Sequence, residues 1–260
     1  MCFDLDSRPP IIPIAGGALD SSELVLESAD GNRMRAFRAR ATEANGAGIV
    51  ILPDVRGLHP YFEELALRFA ESGVDAVAID YFGRTSGLGP RGDGFEYMPH
   101  VAQTTWAGLS ADIRAGAENL LLHDEGRVTS LFTVGFCFGG RLAFLSPTLK
   151  LELAGAIGFY GLPVGPYRND IPAPIDVVHE FDSPVLGLFG GADPAIPTDA
   201  IAAFEGALSE AGVDHRIVTY DDAPHSFFDR KAADYADASA RAWEETLTFV
   251  RGHVPDPVGS

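Results

Sequence analysis

Short apolar runs alternate with helical patterns along most of the chain. Residues 48–52 and 76–79 are continuous apolar stretches of strand length, typical of strands buried on both faces of a sheet. Between them, apolar residues recur at the three- and four-residue spacing of a helix. The pattern continues to the C-terminal region and predicts strands over 128–134, 154–160, 184–189 and 216–220, and helices over 106–121, 198–210 and 235–251.

The N-terminal region has a different pattern. Two extended runs, residues 23–27 and 33–38, flank Asp30-Gly31, which predicts an antiparallel hairpin. Strands that alternate with helices indicate a mainly parallel central sheet covered by helices on both faces. We therefore predict an α/β fold, with an irregular leader over residues 1–22 and a single domain over 23–252.

Two long stretches, residues 82–104 and 161–182, have no strong pattern of their own. Long connections in a compact domain are often functional. We expect these two to roof a pocket at the edge of the sheet. Farther along the chain, Thr198 is a plausible N-cap for the helix predicted over 198–210.

The charge balance narrows the classes of partner. Nineteen Lys and Arg stand against 37 Asp and Glu, a formal net charge of −18. Such a surface repels phosphate backbones and anionic lipid, so we expect neither nucleic acid nor membrane as a partner. A local Arg can still dominate inside a pocket, and an anionic substrate stays open.

Cysteine usage and the N-terminus indicate a compartment. Cys2 and Cys137 are too few for a disulfide framework. The first ten residues carry acids and prolines instead of the basic start and apolar stretch of a signal peptide. We expect a cytoplasmic protein. A monomer fits the sequence, which leaves the oligomeric state open.

Cys137 lies in the motif Gly135-Phe136-Cys137-Phe138-Gly139-Gly140, between a predicted strand and a predicted helix. This is the context of a nucleophile elbow, a sharp turn whose neighbours must be small. The helix N-terminus would favour the thiolate. The alternative is a small hydrophobe in a buried strand, which is common for free Cys. On the motif alone the two interpretations are about equally supported.

Two later residues could complete a catalytic triad. Asp193, in Gly191-Ala192-Asp193-Pro194, and His225, in Pro224-His225-Ser226-Phe227, each follow a predicted strand. His225 would act as general base and acid, and Asp193 would orient its imidazole. Each residue alone is more simply a turn or surface residue. The order Cys, Asp, His, each after a buried strand, is hard to obtain by accident.

The remaining histidines have weaker claims. His59 could line the pocket, but we interpret it and the others as structural or exposed: His100, His123, His179, His215 and His253. No His, Cys or acid spacing suggests a metal site, and no cofactor is expected.

With these motifs the chain resembles the dienelactone hydrolases, which carry a Cys elbow on the α/β-hydrolase fold. The resemblance spans roughly residues 23 to 250. It includes the elbow, Phe159-Tyr160-Gly161, Gly191-x-Asp193 and Pro224-His225-Ser226-Phe227. It implies that a Cys137–His225–Asp193 triad opens an enol-lactone through an acyl-thioester.

The resemblance also implies roles for neighbouring residues. Asp54 stands where the family has a thiol-gating Glu, and the amides of Val55 and Phe138 would form the oxyanion hole. Arg84 and Tyr160 would bind substrate. A family Arg four residues after the catalytic His is replaced here by Asp229, with Arg230 next to it.

These departures keep three functions in view. The first is a lactone or small-ester hydrolase, and the second is a carboxylesterase or thioesterase acting on other small acyl substrates. The third is a non-catalytic thiol sensor on the same fold, which would leave Asp193 and His225 without a purpose.

Overall fold

The computed structural model describes residues 6–92, 94–122, 126–166 and 169–255. Its centre is a sheet of eight strands. The strands are β1 (Ala18–Glu27), β2 (Arg33–Ala41), β3 (Ala47–Leu52), β4 (Asp75–Ile79), β5 (Ser130–Phe136), β6 (Gly155–Phe159), β7 (Val185–Gly190) and β8 (His215–Tyr220).

Helices connect the strands. They are α1 (Pro60–Glu71), α2 (Gly83–Ser86), α3 (Tyr97–Val101), α4 (Trp106–Leu122), α5 (Phe138–Leu145), α6 (Thr198–Glu210) and α7 (Ala236–Gly252). Short 3-10 helices cover Ser146–Leu149 and Pro174–Glu180. None of the helices in the described part of the chain is both long and apolar enough to cross a bilayer.

The strand order is β1-β2-β4-β3-β5-β6-β7-β8. Strands β3 to β8 are parallel, whereas the β1–β2 hairpin joins β4 in antiparallel fashion. Every residue of β3, β4, β5, β6 and β7 is buried, which explains why these strands are continuous apolar runs. The buried hydrophobic residues form two clusters. Neighbouring residues of one strand, such as Ile49 and Val50, belong to different clusters, so the sheet has a core on each face. The predicted α/β fold with its N-terminal hairpin is confirmed.

Two details of the N-terminal and helical predictions are wrong. Strand β1 begins at Ala18, so the irregular leader predicted over residues 1–22 is too long. Backbone pairing with β2, and not residue type, sets this start, because Ala18 pairs with Ala41. Thr198 is the first residue of α6 and makes no capping hydrogen bond, and Pro197 occupies the N-cap position.

The two long connections contain more structure than predicted. The first holds α2 and α3, and the second holds the longer of the two 3-10 helices. The side-chain amide of Asn169 donates to the Thr104 carbonyl at 2.5 Å, and the Trp106 amide donates to the Asp170 carboxylate at 2.8 Å. The first bond ties the two connections to each other, and the second ties the second connection to the start of α4.

Candidate active site

Three side chains of the predicted triad follow three parallel strands of the sheet. Cys137 comes directly after β5, Asp193 follows β7, and His225 follows β8. Carboxyl ends of parallel strands meet at one edge of a sheet, which is where α/β proteins bind ligands. The fold therefore places all three residues along the same edge.

Cys137 occupies a sharp turn between β5 and α5. Its φ of 57° and ψ of −110° are unusual for a residue with a side chain, and it is the N-cap of α5. The Cys137 amide donates to the Phe159 carbonyl at 3.0 Å, which fixes the turn to the end of β6. The thiol is half-buried at the N-terminus of a helix.

Glycines make this turn possible. A Cβ on Gly135 would overlap the Gly139 carbonyl, and a Cβ on Gly139 would overlap the Leu52 carbonyl at the end of β3. A Cβ on Gly140 would overlap the Phe159 carbonyl. The motif thus has the close approach of strand and helix that a nucleophile elbow requires.

Asp193 and His225 form a direct contact. The Nδ1 atom of His225 lies 2.6 Å from Oδ2 of Asp193, whose side chain is completely buried. The other carboxylate oxygen accepts the Ala195 amide at 2.8 Å. Asp193 therefore contacts the imidazole through Nδ1 and shapes its own turn.

The loop after β3 carries the predicted oxyanion donor. Asp54 is fully buried and its Oδ1 accepts the Arg56 amide at 2.9 Å, while the Tyr81 hydroxyl donates to the carbonyls of Pro53 and Asp54. These bonds hold Val55, which is half-buried, at the edge where Phe138 begins α5. The oxyanion and thiol-gating roles stay predictions.

Tyr160 is buried beside His225. Its side chain is completely buried, its ring centroid is 4.9 Å from that of His225, and its hydroxyl donates to Oδ2 of Asp229 at 2.7 Å. The role of Tyr160 in binding substrate stays a prediction.

Arg84 lies among carboxylates of the N-terminal hairpin and α4. Its guanidinium contacts the carboxylates of Asp30 and Asp112 and the Gly108 carbonyl. Two carboxylates already balance its charge, and the Asp112 side chain is only 1% exposed. Arg84 thus joins the β1–β2 turn to α4, and its predicted contact with a substrate carboxylate stays a prediction.

Asp229 is a functional candidate that the sequence marked only as a departure from the family. It is buried, and burial raises its pKa to about 8, against the opposing effect of the Tyr160 hydrogen bond. The carboxyl of Asp54 raises the Asp229 pKa further, and His225 lowers it. Both groups are thus close enough to act on Asp229 electrostatically.

Arg141 was missed entirely, because nothing in its local sequence marks it. It is buried on α5, and its guanidinium donates to four carbonyls of the connection after β6: those of Leu162, Val164, Gly165 and Pro172. Arg141 therefore fixes the loop beside the elbow to the helix that begins there.

His59 is buried at the N-terminus of α1, in edge-to-face contact with Phe62 at 5.1 Å. Burial lowers its pKa to about 2, with a smaller effect from Arg56. Its interpretation as a structural histidine fits this environment. In the described ranges, no three His, Cys, Asp or Glu side chains are arranged to hold a metal ion.

A mainly parallel sheet with a cysteine elbow after β5, and an Asp–His pair after β7 and β8, has the architecture of an α/β-hydrolase. The model of the dienelactone hydrolase family matches residues 34–254. The chain belongs to that family and is a hydrolase acting on lactones or carboxylic esters. The predicted family and enzyme class are confirmed.

Individual relatives agree with this assignment. A Salmonella typhimurium protein named "Putative carboxymethylenebutenolidase" is 29% identical over 256 residues, covering 93% of this chain and 90% of the relative. A Bradyrhizobium protein named "Probable 2-oxo-3-(5-oxofuran-2-ylidene)propanoate lactonase" is 27% identical, covering 79% of this chain and 84% of the relative. The crystal structure of a "Putative Dienelactone Hydrolase" from Klebsiella pneumoniae has a TM-score of 0.77 at 28% identity, covering 89% of this chain and 98% of that chain.

Proposed function

We propose that this protein hydrolyses a lactone or a small carboxylic ester with Cys137 as nucleophile, His225 as general base and acid, and Asp193 as the residue that orients His225. The observation that carries the proposal is the 2.6 Å contact between Asp193 and His225, on the sheet edge where Cys137 occupies its strained turn. Such an arrangement has few structural uses, because a strained backbone at a functional edge is commonly retained for its chemistry.

In the first half-reaction, Nε2 of His225 accepts the Cys137 proton and Sγ attacks the carbonyl carbon of the substrate. The amides of Val55 and Phe138 donate to the oxyanion that forms. When the carbon–oxygen bond breaks, His225 returns the proton to the leaving oxygen. An acyl-thioester on Cys137 remains, and with a lactone the leaving alcohol stays attached to it.

In the second half-reaction, His225 takes a proton from water, whose oxygen attacks the thioester carbonyl. The carbon–sulfur bond breaks, the carboxylic acid is released, and Cys137 recovers its proton from His225. Throughout the cycle, Asp193 keeps the proton on Nδ1, so that Nε2 is the nitrogen that exchanges protons.

The substrate class is supported by the relatives. Two of these relatives are named as a carboxymethylenebutenolidase and as a lactonase. We propose a small unsaturated lactone as the preferred substrate, with activated esters as surrogates. The proposed location is the cytoplasm, because a reducing compartment keeps a nucleophilic thiol in its reduced form.

The test is covalent trapping. Incubated with a panel of lactones and activated esters, the protein should gain the mass of the acyl group, and peptide mapping should place it on Cys137. Cys137→Ala should abolish both the adduct and turnover, whereas Cys2→Ala should retain both. Cys137→Ser is the conservative comparison, with slow turnover through an oxygen ester.

Two outcomes would contradict the proposal. Unchanged turnover by Cys137→Ala would exclude the thiol as nucleophile. Absence of an adduct across the panel, together with reversible oxidation of Cys137 at low peroxide, would favour the thiol-sensor alternative.

A further inference from the structure

We propose that Tyr160 and Asp229 are positioning residues that support the imidazole of His225, in addition to Asp193. The proposal rests on the function proposed above, because it concerns the residue that moves protons in that reaction. It assigns a role to a carboxyl that the triad mechanism does not use.

The contacts form a continuous chain from Asp229 to the imidazole. The Tyr160 hydroxyl donates to Oδ2 of Asp229 at 2.7 Å, and the Tyr160 ring packs on the His225 ring at 4.9 Å with an interplanar angle of 55°. Tyr160 is itself held by its amide, which donates to the Leu188 carbonyl at 2.8 Å, and by edge contact with Phe227 at 5.6 Å.

This series of contacts joins the ends of two strands that are not neighbours in the sheet. Tyr160 follows β6, whereas Asp229 lies in the turn that begins at His225 after β8, and β7 lies between these strands. The Asp229 amide donates to the Ser226 carbonyl at 3.2 Å, and Oδ1 of Asp229 accepts the Arg230 amide. The hydrogen bond from Tyr160 thus anchors the turn that carries His225 to the end of β6.

Burial indicates that the pair acts through His225. The side chain of Tyr160 is completely buried and Asp229 is only 6% exposed. Both side chains can therefore act on a substrate through His225, which is half-buried. Changes at Tyr160 or Asp229 should therefore alter kcat more than KM.

The charge of Asp229 supplies a second, pH-dependent effect. The groups that face its carboxyl are the Tyr160 hydroxyl, the Arg230 amide, His225, Asp54 and Tyr61. With a pKa of about 8, raised by burial, the carboxyl is protonated at neutral pH. His225 then faces one carboxylate, that of Asp193.

Above pH 8, ionised Asp229 adds a second negative charge near His225. That charge repels the oxyanion that develops on the substrate. We therefore expect kcat to fall as the pH rises through about 8, where Asp229 titrates.

The experiment compares Tyr160→Phe, Asp229→Asn and Asp229→Ala over the pH range 6 to 10. Tyr160→Phe and Asp229→Ala break the link and should lower kcat about tenfold or more at pH 7, with KM nearly unchanged. Asp229→Asn keeps an oxygen that can accept the Tyr160 hydroxyl and should rescue most of kcat. It should also remove the loss of activity above pH 8.

Tyr160→Phe gives a further signature. Its hydroxyl lowers the Asp229 pKa in the native protein, so without it the alkaline loss should move to higher pH. Asp234→Asn and Tyr235→Phe, on the same segment but outside the link, are matched controls and should behave like the native protein. Both residues lie at the start of α7 or just before it.

A readout without substrate separates this proposal from the proposed function. The rate at which iodoacetamide alkylates Cys137, mapped by mass, reports the thiol–imidazole pair directly. It should fall in Tyr160→Phe and Asp229→Ala and stay native-like in Asp229→Asn at pH 7. The positioning role would be overturned if all three variants kept the native kcat, pH profile and alkylation rate. Turnover by Cys137→Ala would instead contradict the proposed function.

Discussion

Three residues with positive φ surround the candidate site: Cys137 at 57°, Tyr160 at 38° and Ser226 at 65°. Each follows a different strand of the sheet, and each carries a side chain in a conformation that costs roughly 1–3 kcal/mol. The cost is retained at Cys137 because the turn projects the thiol, and at Tyr160 because it brings the ring against His225. In the described part of the chain, the other non-glycine residues with positive φ are Lys150, Glu152 and Asn169.

The position of Arg56 makes it a candidate for binding an anionic group of a substrate. It follows Val55 on the loop after β3, is half-buried, and lies over the Tyr97 ring at 5.7 Å. Unlike Arg84, it is placed beside the predicted oxyanion hole. Arg56 is therefore the better candidate to meet an anionic group on a substrate.

This placement gives a prediction for substrate charge. Arg56→Gln should raise KM for an ester with a free carboxylate about tenfold or more, because a charge-assisted hydrogen bond is lost. KM for the same ester with the carboxylate methylated should change little. Paired kinetics on the two substrates make the measurement.

Arg84→Gln is the matched control. It should not distinguish the two substrates, because Arg84 contacts Asp30 and Asp112. It should instead lower the free energy of unfolding by about 1–3 kcal/mol, since the buried Asp112 loses a charged partner. Selective loss of activity on the anionic substrate in Arg84→Gln would instead support the carboxylate clamp predicted from the sequence.

At the scale of elements, the elbow depends on backbone contact between β5 and α5. Gly135 and Gly139 touch each other and the end of β3 so closely that no Cβ fits. The requirement is steric, since neither glycine has a positive φ. The motif is therefore a packing constraint as much as a catalytic signature.

Gly135→Ala should disrupt this packing. The new Cβ would meet backbone atoms of Gly139 and Gly140, which cannot rotate away, so we expect a loss of stability of about 2 kcal/mol or more and a large loss of activity. Chemical denaturation and ester turnover provide the measurements.

Gly206→Ala is expected to have the opposite effect on stability. Gly206 is exposed on α6 with open space around its Cα, so alanine should stabilise the protein by up to about 1 kcal/mol and leave activity unchanged. Equal effects of the two substitutions on stability would show that the elbow tolerates a side chain.

At the scale of the whole molecule, buried titratable groups couple stability to pH. His59 has a native pKa of about 2 and an ordinary value of 6.5. Because the pKa of His59 is depressed in the folded protein, the unfolded chain binds a proton below pH 6.5 that the folded chain does not bind. Stability should therefore fall as the pH drops below that value.

The loss attributable to His59 between pH 6.5 and 5 is about 2 kcal/mol. His59→Gln, which cannot be protonated, should show a shallower decline of the urea-unfolding free energy over that interval than the native protein. His215→Gln is the control, because His215 lies half-buried on the edge strand β8. Parallel declines for the native protein and His59→Gln would contradict this role.

The sequence by itself determined the α/β fold, the succession of strands and helices along the chain, and the positions of Cys137, Asp193 and His225 relative to the strands. These follow from local rules, because apolar runs define buried strands and parallel strands bring their carboxyl ends to one edge. The family was predictable for the same reason, since its motifs are contiguous.

Only the tertiary structure decided the partners of Arg84, Tyr160 and Asp229. The bonds from Arg84 to Asp30 and from Tyr160 to Asp229 join residues 54 and 69 positions apart. No local pattern encodes such pairs, because the free energy of a buried charge or hydroxyl depends on which distant group the fold brings against it. The sequence therefore identified the residues of the proposed reaction, whereas the fold revealed what holds them.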